Sequence, residues 1–399
     1  MAEKPKVGLL HRSLAAGDWI ARLPAPVLLF VLAASVGSAD WIWTRVAHGP
    51  TPGHVVGISL AVFVIGDWVM LAWLPRSGRS FGPIGLTLIA LAAARWALYV
   101  ATAFIPATPE LPYWTAALAT IGNLALTGNV LDSLWAEPFR LDVTRIEIKS
   151  PKLAGRPPVR VLHLSDLHIE RITARERRLL ELVEELRPDL IVFTGDFLNL
   201  SFLDDPRAQA DCREVLSRLR ASLGVYAITG SPPVDRPHIV RRLLDGLDIH
   251  LLHNRAELIK LAPEDEPALA LIGVTCTNDA TRDGETLVQV MTSVPGNPST
   301  PFTLLLYHSP DLMPEAARAR VDLFLAGHTH GGQIRLPLVG ALVTSSKYWK
   351  RYEMGLYAED NTRLYVSRGL GMEGLGAPRA RFFCPPEIEL FELRGMESE

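Results

Sequence analysis

The chain has 399 residues and a formal net charge of -3, so no bulk positive charge is available to hold a nucleic-acid partner. Hydrophobic residues make up 48%, high for a soluble enzyme, and eight of the nine tryptophans, Trp19 to Trp135, precede residue 136. The three cysteines, Cys212, Cys276 and Cys384, are far apart and form no CxxC pair. They read as free thiols of a reducing compartment and exclude a disulfide or zinc-thiolate framework.

Four apolar stretches come first, at residues 23–43, 55–74, 81–105 and 113–135. Each is roughly 20 residues long, enough to cross about 30 Å of hydrocarbon. Trp and Tyr mark their ends, as in an interfacial belt, and turn sequences such as Gly49-Pro50-Thr51-Pro52-Gly53 separate them. Lys4, Lys6, Arg12 and Arg22 precede the first stretch, yet no A-x-A-like cleavage site follows it, so an uncleaved anchor is expected. The loops carry few basic residues, whereas Arg140, Arg145, Lys149, Lys152, Arg156 and Arg160 follow the fourth stretch. With four crossings, this bias places both termini in the cytoplasm of a multi-pass inner-membrane protein. Asp67 and Arg95 fall inside the second and third stretches and are expected to pair with each other.

Past residue 140 the pattern becomes α/β. Short apolar runs at 159–164, 190–194, 225–229, 269–274, 302–307 and 323–326 are bounded by turn residues and read as strands. Helical patterns at 174–186 and 208–219 lie between some of them. The expected organisation is a transmembrane region over 1–136 and a second domain over 140–399.

The chemistry-bearing residues sit where these strands end: Ser165-Asp166-Leu167-His168, Gly195-Asp196, Tyr307-His308 and Gly327-His328-Thr329-His330. Loops at strand carboxyl ends converge, so two carboxylates and four imidazoles can meet at one point. A set of oxygen and imidazole donors without thiolate suits Mn, Fe or Zn. A carboxylate such as Asp196 can bridge two such ions, the arrangement that clamps a phosphoryl group. Each piece alone is weak; the ordered series is not.

That series resembles the calcineurin-like metallophosphoesterases, in particular their membrane-associated bacterial branch. The resemblance covers about residues 160–393 and includes Leu164-Ser165-Asp166-Leu167-His168, Thr194-Gly195-Asp196, Gly327-His328-Thr329-His330-Gly331-Gly332, Leu364-Tyr365-Val366-Ser367-Arg368-Gly369-Leu370-Gly371 and Arg381-Phe382-Phe383-Cys384-Pro385-Pro386. It implies a four-layer αββα sandwich with two divalent ions: Asp166, His168 and His330 on one, His308 and His328 on the other, and Asp196 bridging. It also implies hydrolysis of phosphate esters or anhydrides by a hydroxide that bridges the metals, with a phosphorylated small molecule or a lipid-linked compound as substrate.

One family motif departs. Where the family has Gly-Asn-His followed by Asp or Glu, this chain reads Gly230-Ser231-Pro232-Pro233-Val234-Asp235. A Ser231 hydroxyl replaces the amide ligand, and Pro232 replaces the histidine that protonates the leaving group. His238 is the candidate substitute acid, with His250 and His253 as further options. An active site of this kind favours phosphoanhydrides or activated esters, whose leaving groups need little protonation. The other reading is a catalytically impaired membrane sensor or scaffold that binds metal or a phosphorylated ligand.

Overall fold

The computed structural model describes residues 9–47, 49–105, 111–262, 265–296 and 300–396. Lys4 and Lys6 lie outside them. Contacts divide the chain into two units, one holding His11–Ala136 with Gly374–Arg379, the other holding the rest of the chain from Glu137 onward.

The first unit is helical: α1 (Leu9–Ala21), α2 (Ala25–Val46), α3 (Pro50–Trp73), α4 (Gly85–Ala103) and α5 (Leu111–Leu131). Proline in the first turn starts both α2 and α3, where its missing N–H costs nothing. Gly53, Val56, Leu60, Val64, Asp67 and Leu71 make one buried stripe of α3, while Ile58, Val62, Ile65 and Val69 point outward and are exposed. Such outward apolar rows suit lipid rather than water. Segments Ala25–Val46, Pro50–Ser77 and Gly85–Ala103 are long and apolar enough to cross a membrane.

Among the described residues, three of the four expected spans therefore meet the measure of length and composition. The region of the fourth does form the 21-residue α5, but Thr115, Thr120, Asn123 and Thr127 dilute its apolarity. Those polar groups have a use. Arg95 donates to both carboxylate oxygens of Asp67 at 2.6 Å, and also to the Asn123 carbonyl at 3.0 Å and Thr127 Oγ1 at 3.0 Å. The expected ion pair exists, and α5 completes its hydrogen bonding. A buried guanidinium is tolerated only when its donors are met in this way.

The second unit holds two six-stranded sheets. Its strands are β1 (Asp142–Ser150), β2 (Val159–Leu164), β3 (Leu190–Phe193), β4 (Val225–Ala227), β5 (His250–Leu251), β6 (Arg255–Ile259), β7 (Leu269–Gly273), β8 (Phe302–Leu306), β9 (Leu323–Ala326), β10 (Arg335–Leu336), β11 (Gly340–Ala341), β12 (Gly355–Glu359), β13 (Thr362–Val366) and β14 (Glu387–Gly395). One sheet runs β1-β14-β2-β3-β4-β5 and the other β12-β13-β9-β8-β7-β6, with β10 and β11 as a separate hairpin. The helices are α6 (Ala174–Leu186), α7 (Pro206–Ser217), α8 (Pro237–Leu244), α9 (Ala280–Met291) and α10 (Met313–Arg318).

Period-two alternation sorts the core into three layers. Val159, Val161, Leu190 and Val192 face Leu304, Leu306, Leu323 and Leu325 between the sheets. Leu162, Leu164, Ile191 and Phe193 face the opposite way, onto α6, α7 and α8. Ile272, Leu305 and Phe324 meet Leu287 of α9 and Met313 of α10. This is the expected four-layer αββα sandwich.

Helix starts follow local chemistry. Thr173 and Glu176 form a capping box at α6. Asp205 accepts from the Arg207 and Ala208 amides with Pro206 in the first turn, which moves the start of α7 ahead of the expected residue 208.

Candidate metal centre

Five parallel strands aim their carboxyl ends at one place. Asp166 and His168 follow β2, Asp196 follows β3, Ser231 follows β4, His308 follows β8, and His328 and His330 follow β9. The loops hold one another through backbone bonds: Asp166 N to Gly195 O at 3.0 Å, His168 N to Asp196 O at 3.1 Å, and Gly327 N to His308 O at 2.8 Å. Close approach demands glycine. A Cβ on Gly327 would lie 1.9 Å from Ser165 Oγ and 2.1 Å from Asp166 Oδ2, and one on Gly230 would lie 2.2 Å from Asp196 Oδ1.

Five of these six aspartates and histidines, Asp166, His168, Asp196, His328 and His330, have positive φ, between 41° and 71°. Left-handed backbone outside glycine costs on the order of 1 kcal/mol per residue and clusters where function over-determines it.

The side chains form two groups, Asp166 with His168 and His330, and Asp196 with His308 and His328. Within each, one donor atom per residue lies within 4.8 Å of the others. His168 Nε2 is 3.1 Å from His330 Nε2, and His308 Nε2 is 3.1 Å from His328 Nδ1. Asp196 Oδ2 stands between the groups, 3.5 Å from His168 Nε2 and 3.3 Å from His308 Nε2. His308 Nδ1 donates to the Thr194 carbonyl at 2.8 Å, which turns Nε2 into the site. Clustered lone pairs of this kind repel one another unless a cation lies among them, and oxygen plus imidazole suits Mn, Fe or Zn. The residues fit divalent metal.

Without a cation among these donors, the two carboxylates draw a proton onto His308 instead. Burial opposes charge on His308, but Asp196 and Asp166 outweigh it and move the ring up to about 10. Burial and the neighbouring His308 push His328 down to about 3. Burial also opposes ionisation of Asp196, yet His308, His168 and His328 hold it well below the usual carboxylate range.

The departing motif is part of the same centre. Ser231 Oγ lies 3.0 Å from His308 Nε2 and 3.3 Å from both Asp196 Oδ2 and His328 Nδ1. Pro232 has no titratable group to offer. His238 stands exposed near the start of α8 and joins neither group, and His250 stacks on Tyr226. His253 is different. Its Nδ1 is 2.9 Å from Thr275 Oγ1, and it lines a cavity of about 860 Å³ together with Gly230, Pro232, Val240, Arg241 and Leu244.

Sequence reading gave no role to two residues that shape the site. Asp235 is buried and accepts from the amides of Asp196 at 2.8 Å, Phe197 at 3.1 Å and Gly230 at 2.7 Å. It thereby ties the Asp196 loop to the Ser231 loop, although burial and Asp196 raise its carboxyl to about 7. Arg381, wholly buried, donates to the carbonyls of Arg368 at 2.8 Å, Gly369 at 3.2 Å and His330 at 3.3 Å. Glycine-rich spacing around residues 369–371 was the available signal for that packing.

Paired sheets with this donor set at their strand ends define a metallophosphoesterase. The family model for calcineurin-like phosphoesterase matches residues 159–231, the stretch that holds Asp166, His168, Asp196 and Ser231. Curated relatives extend the match well beyond it. An uncharacterized metallophosphoesterase, YkuE, of Bacillus subtilis is 30% identical over 68% of this chain and 92% of its own length. Phosphodiesterase YaeI of Escherichia coli is 31% identical over 69% of this chain and 96% of its own. The UDP-2,3-diacylglucosamine pyrophosphatase LpxG of Chlamydia trachomatis is 27% identical over 69% and 95%. The chain belongs to the calcineurin-like phosphoesterases, enzymes that hydrolyse phosphate esters.

Proposed function

We propose that the chain is a membrane-anchored, metal-dependent hydrolase of phosphoanhydrides or activated phosphate esters. The observation that carries this reading is the position of Asp196 Oδ2, 3.5 Å from one histidine group and 3.3 Å from the other. Asp166, His168 and His330 would hold one divalent ion and His308 and His328 a second, with Asp196 touching both and Ser231 as a weak additional donor. Two ions there would supply Lewis acidity to a phosphoryl group and lower the pKa of water.

The chain's own residues then orient and exclude. Asp235 fixes the two loops that carry Asp196 and Ser231, and Arg381 fixes the carbonyl frame around His330. Pro232 removes the usual proton donor, so a leaving group that departs as a stable anion is favoured. LpxG is named for cleaving a pyrophosphate in a lipid-linked compound. A phosphorylated small molecule or a lipid-linked pyrophosphate at the membrane is accordingly the substrate class proposed for this chain.

The membrane arrangement proposed is multi-pass in the inner membrane with the phosphoesterase unit in the cytoplasm. Its support is the basic segment from Arg140 to Arg160 and the design of α5. Asn123 of α5 is buried with Arg95, whereas Leu118, Ile121 and Leu124 point outward, as a fourth crossing requires.

The test is elemental analysis of the purified full chain together with a panel of aryl esters, alkyl esters, diesters and pyrophosphate-linked compounds. The expected result is two equivalents of metal per chain and cleavage of pyrophosphates and aryl esters. A folded, metal-loaded protein inactive on the whole panel would favour the sensor or scaffold reading.

A further inference from the structure

Behind Asp166 lies a row of buried polar side chains for which the hydrolytic reading has no use. Glu389 on β14, His163 on β2, Thr194 after β3 and Ser165 after β2 are all completely buried. Ser165 Oγ donates to Asp166 Oδ2. Thr194 Oγ1 lies 2.7 Å from Ser165 Oγ, and His163 Nε2 lies 2.9 Å from Thr194 Oγ1. His163 Nδ1 faces Glu389 Oε2 at 2.8 Å, and neither atom has another partner among the described residues. Ser367 Oγ donates to the remaining Glu389 oxygen at 2.7 Å.

Proton counting fixes the direction of every link. Ionised, as a metal ligand must be, the Asp166 carboxylate only accepts, so Ser165 spends its hydrogen on Asp166 and must accept from Thr194. Thr194 has then spent its own hydrogen and must accept from His163, which makes Nε2 the protonated nitrogen. Nδ1 is left facing a carboxyl oxygen, and two bare lone pairs at that distance repel. A proton has to lie between them. Burial pushes His163 down to about 3, while burial and Glu387 push Glu389 well above the usual carboxyl range. The proton therefore stays on Glu389, and four hydrogen bonds point one way, from the Glu389 carboxyl to Asp166 Oδ2.

We propose that Glu389, His163, Thr194 and Ser165 form a positioning chain that fixes Oδ2 of Asp166 and turns Oδ1 toward the metal. Oδ1 is the oxygen on the histidine side, 3.6 Å from His330 Nε2 and 4.0 Å from His168 Nε2. The inference rests on the reading of Asp166 as a metal ligand. The chain acts on one ion only, because the link from Thr194 to the other group is its backbone carbonyl, which accepts from His308 Nδ1.

The experiment is calorimetric titration of the metal-stripped full chain in detergent with Mn²⁺, with circular dichroism and a melting curve for each variant. Thr194→Val keeps the carbonyl and breaks the chain in its middle. It should weaken one of two equivalents by about 10–100-fold, the usual effect of losing an outer partner of a ligand, and spare the other. Thr194→Ser should restore parent affinity. Glu389→Gln, whose amide can donate as the protonated acid does, should stay within about threefold of the parent. Should Thr194→Val fail to fold, Ser165→Ala takes its place with the same expectation.

A folded Thr194→Val (or Ser165→Ala) protein that binds both equivalents like the parent overturns the inference and leaves the hydrolase reading standing. Glu389→Gln as damaging as Thr194→Val overturns the donor direction on which the inference depends. A parent that takes up no Mn²⁺ overturns the hydrolase reading, and the inference with it.

Discussion

Asp196 shows how one residue can set the behaviour of a whole centre. Among the described residues it alone reaches a histidine of each group, so Asp196→Asn should weaken both equivalents of metal, by at least the roughly 10–100-fold typical of lost outer partners. His328→Ala should weaken one. Elemental analysis of the two variants decides this, and equal, full occupancy in both would sink the assigned roles. The Glu389–His163 pair makes a prediction about pH. The folded pair holds one proton, while the unfolded pair holds two below the ordinary carboxyl value of 4.5, one between 4.5 and 6.5, and none above the ordinary imidazole value of 6.5. Stability contributed by the pair is therefore flat between those values and falls on either side, by about 1.4 kcal/mol per pH unit. In Glu389→Gln the decline above pH 6.5 should become shallower by that slope, leaving the part that His308, raised to about 10, contributes in both proteins. Melting points of parent and variant from pH 5 to 8, with chelator present, would refute this if they declined in parallel above 6.5. The six metal-binding candidates were legible because each follows an apolar strand and carries its own residue type. Asp235 and His163 were not, because their partners lie 39 and 226 positions away and an isolated Asp or His looks the same whether it folds inward or out.

At the level of elements, the loop after β4 carries the clearest change. If Pro232 removes the proton donor, rates should fall steeply as the leaving group's pKa rises, with alkyl esters slower than aryl esters by about 10²–10⁴-fold. Ser231→Asn with Pro232→His should flatten that dependence, provided folding and metal content are retained. A parent that cleaves alkyl esters as readily as aryl esters would contradict the loop reading and make His253→Ala the next variant. Strands β2 and β9 match the sequence expectation residue for residue, β3, β7 and β8 run one residue shorter, and β4 ends two residues short. Strand β14 escaped because buried Glu387 and Glu389 interrupt its apolar face, and its parallel partner β1 lies some 245 positions earlier in the chain. Helix α5 was expected as an ordinary span; its polar residues serve Arg95, a partner that hydropathy cannot reveal.

For the molecule as a whole, the basic segment after α5 predicts a cytoplasmic phosphoesterase unit. A C-terminal fusion to a reporter active only after export should stay silent, and a strong signal would reverse the orientation. The left-handed backbone at Asp166, His168, Asp196, His328 and His330 reaches further than the site itself. Conformations that cost free energy persist only while something opposes their release, and the converging loops hold them with help from whatever cation they bind. Ligand binding to the native state adds about RT ln(1 + [L]/Kd) to its stability, so the melting point should climb with free Mn²⁺ and drop on chelation. Amide hydrogen exchange should show where that free energy resides. On chelation, protection should collapse at residues 166–168, 196–197 and 328–331 while the amides of β2, β3, β8 and β9 stay slow, making these loops a separately melting layer on a sandwich that remains closed beneath them.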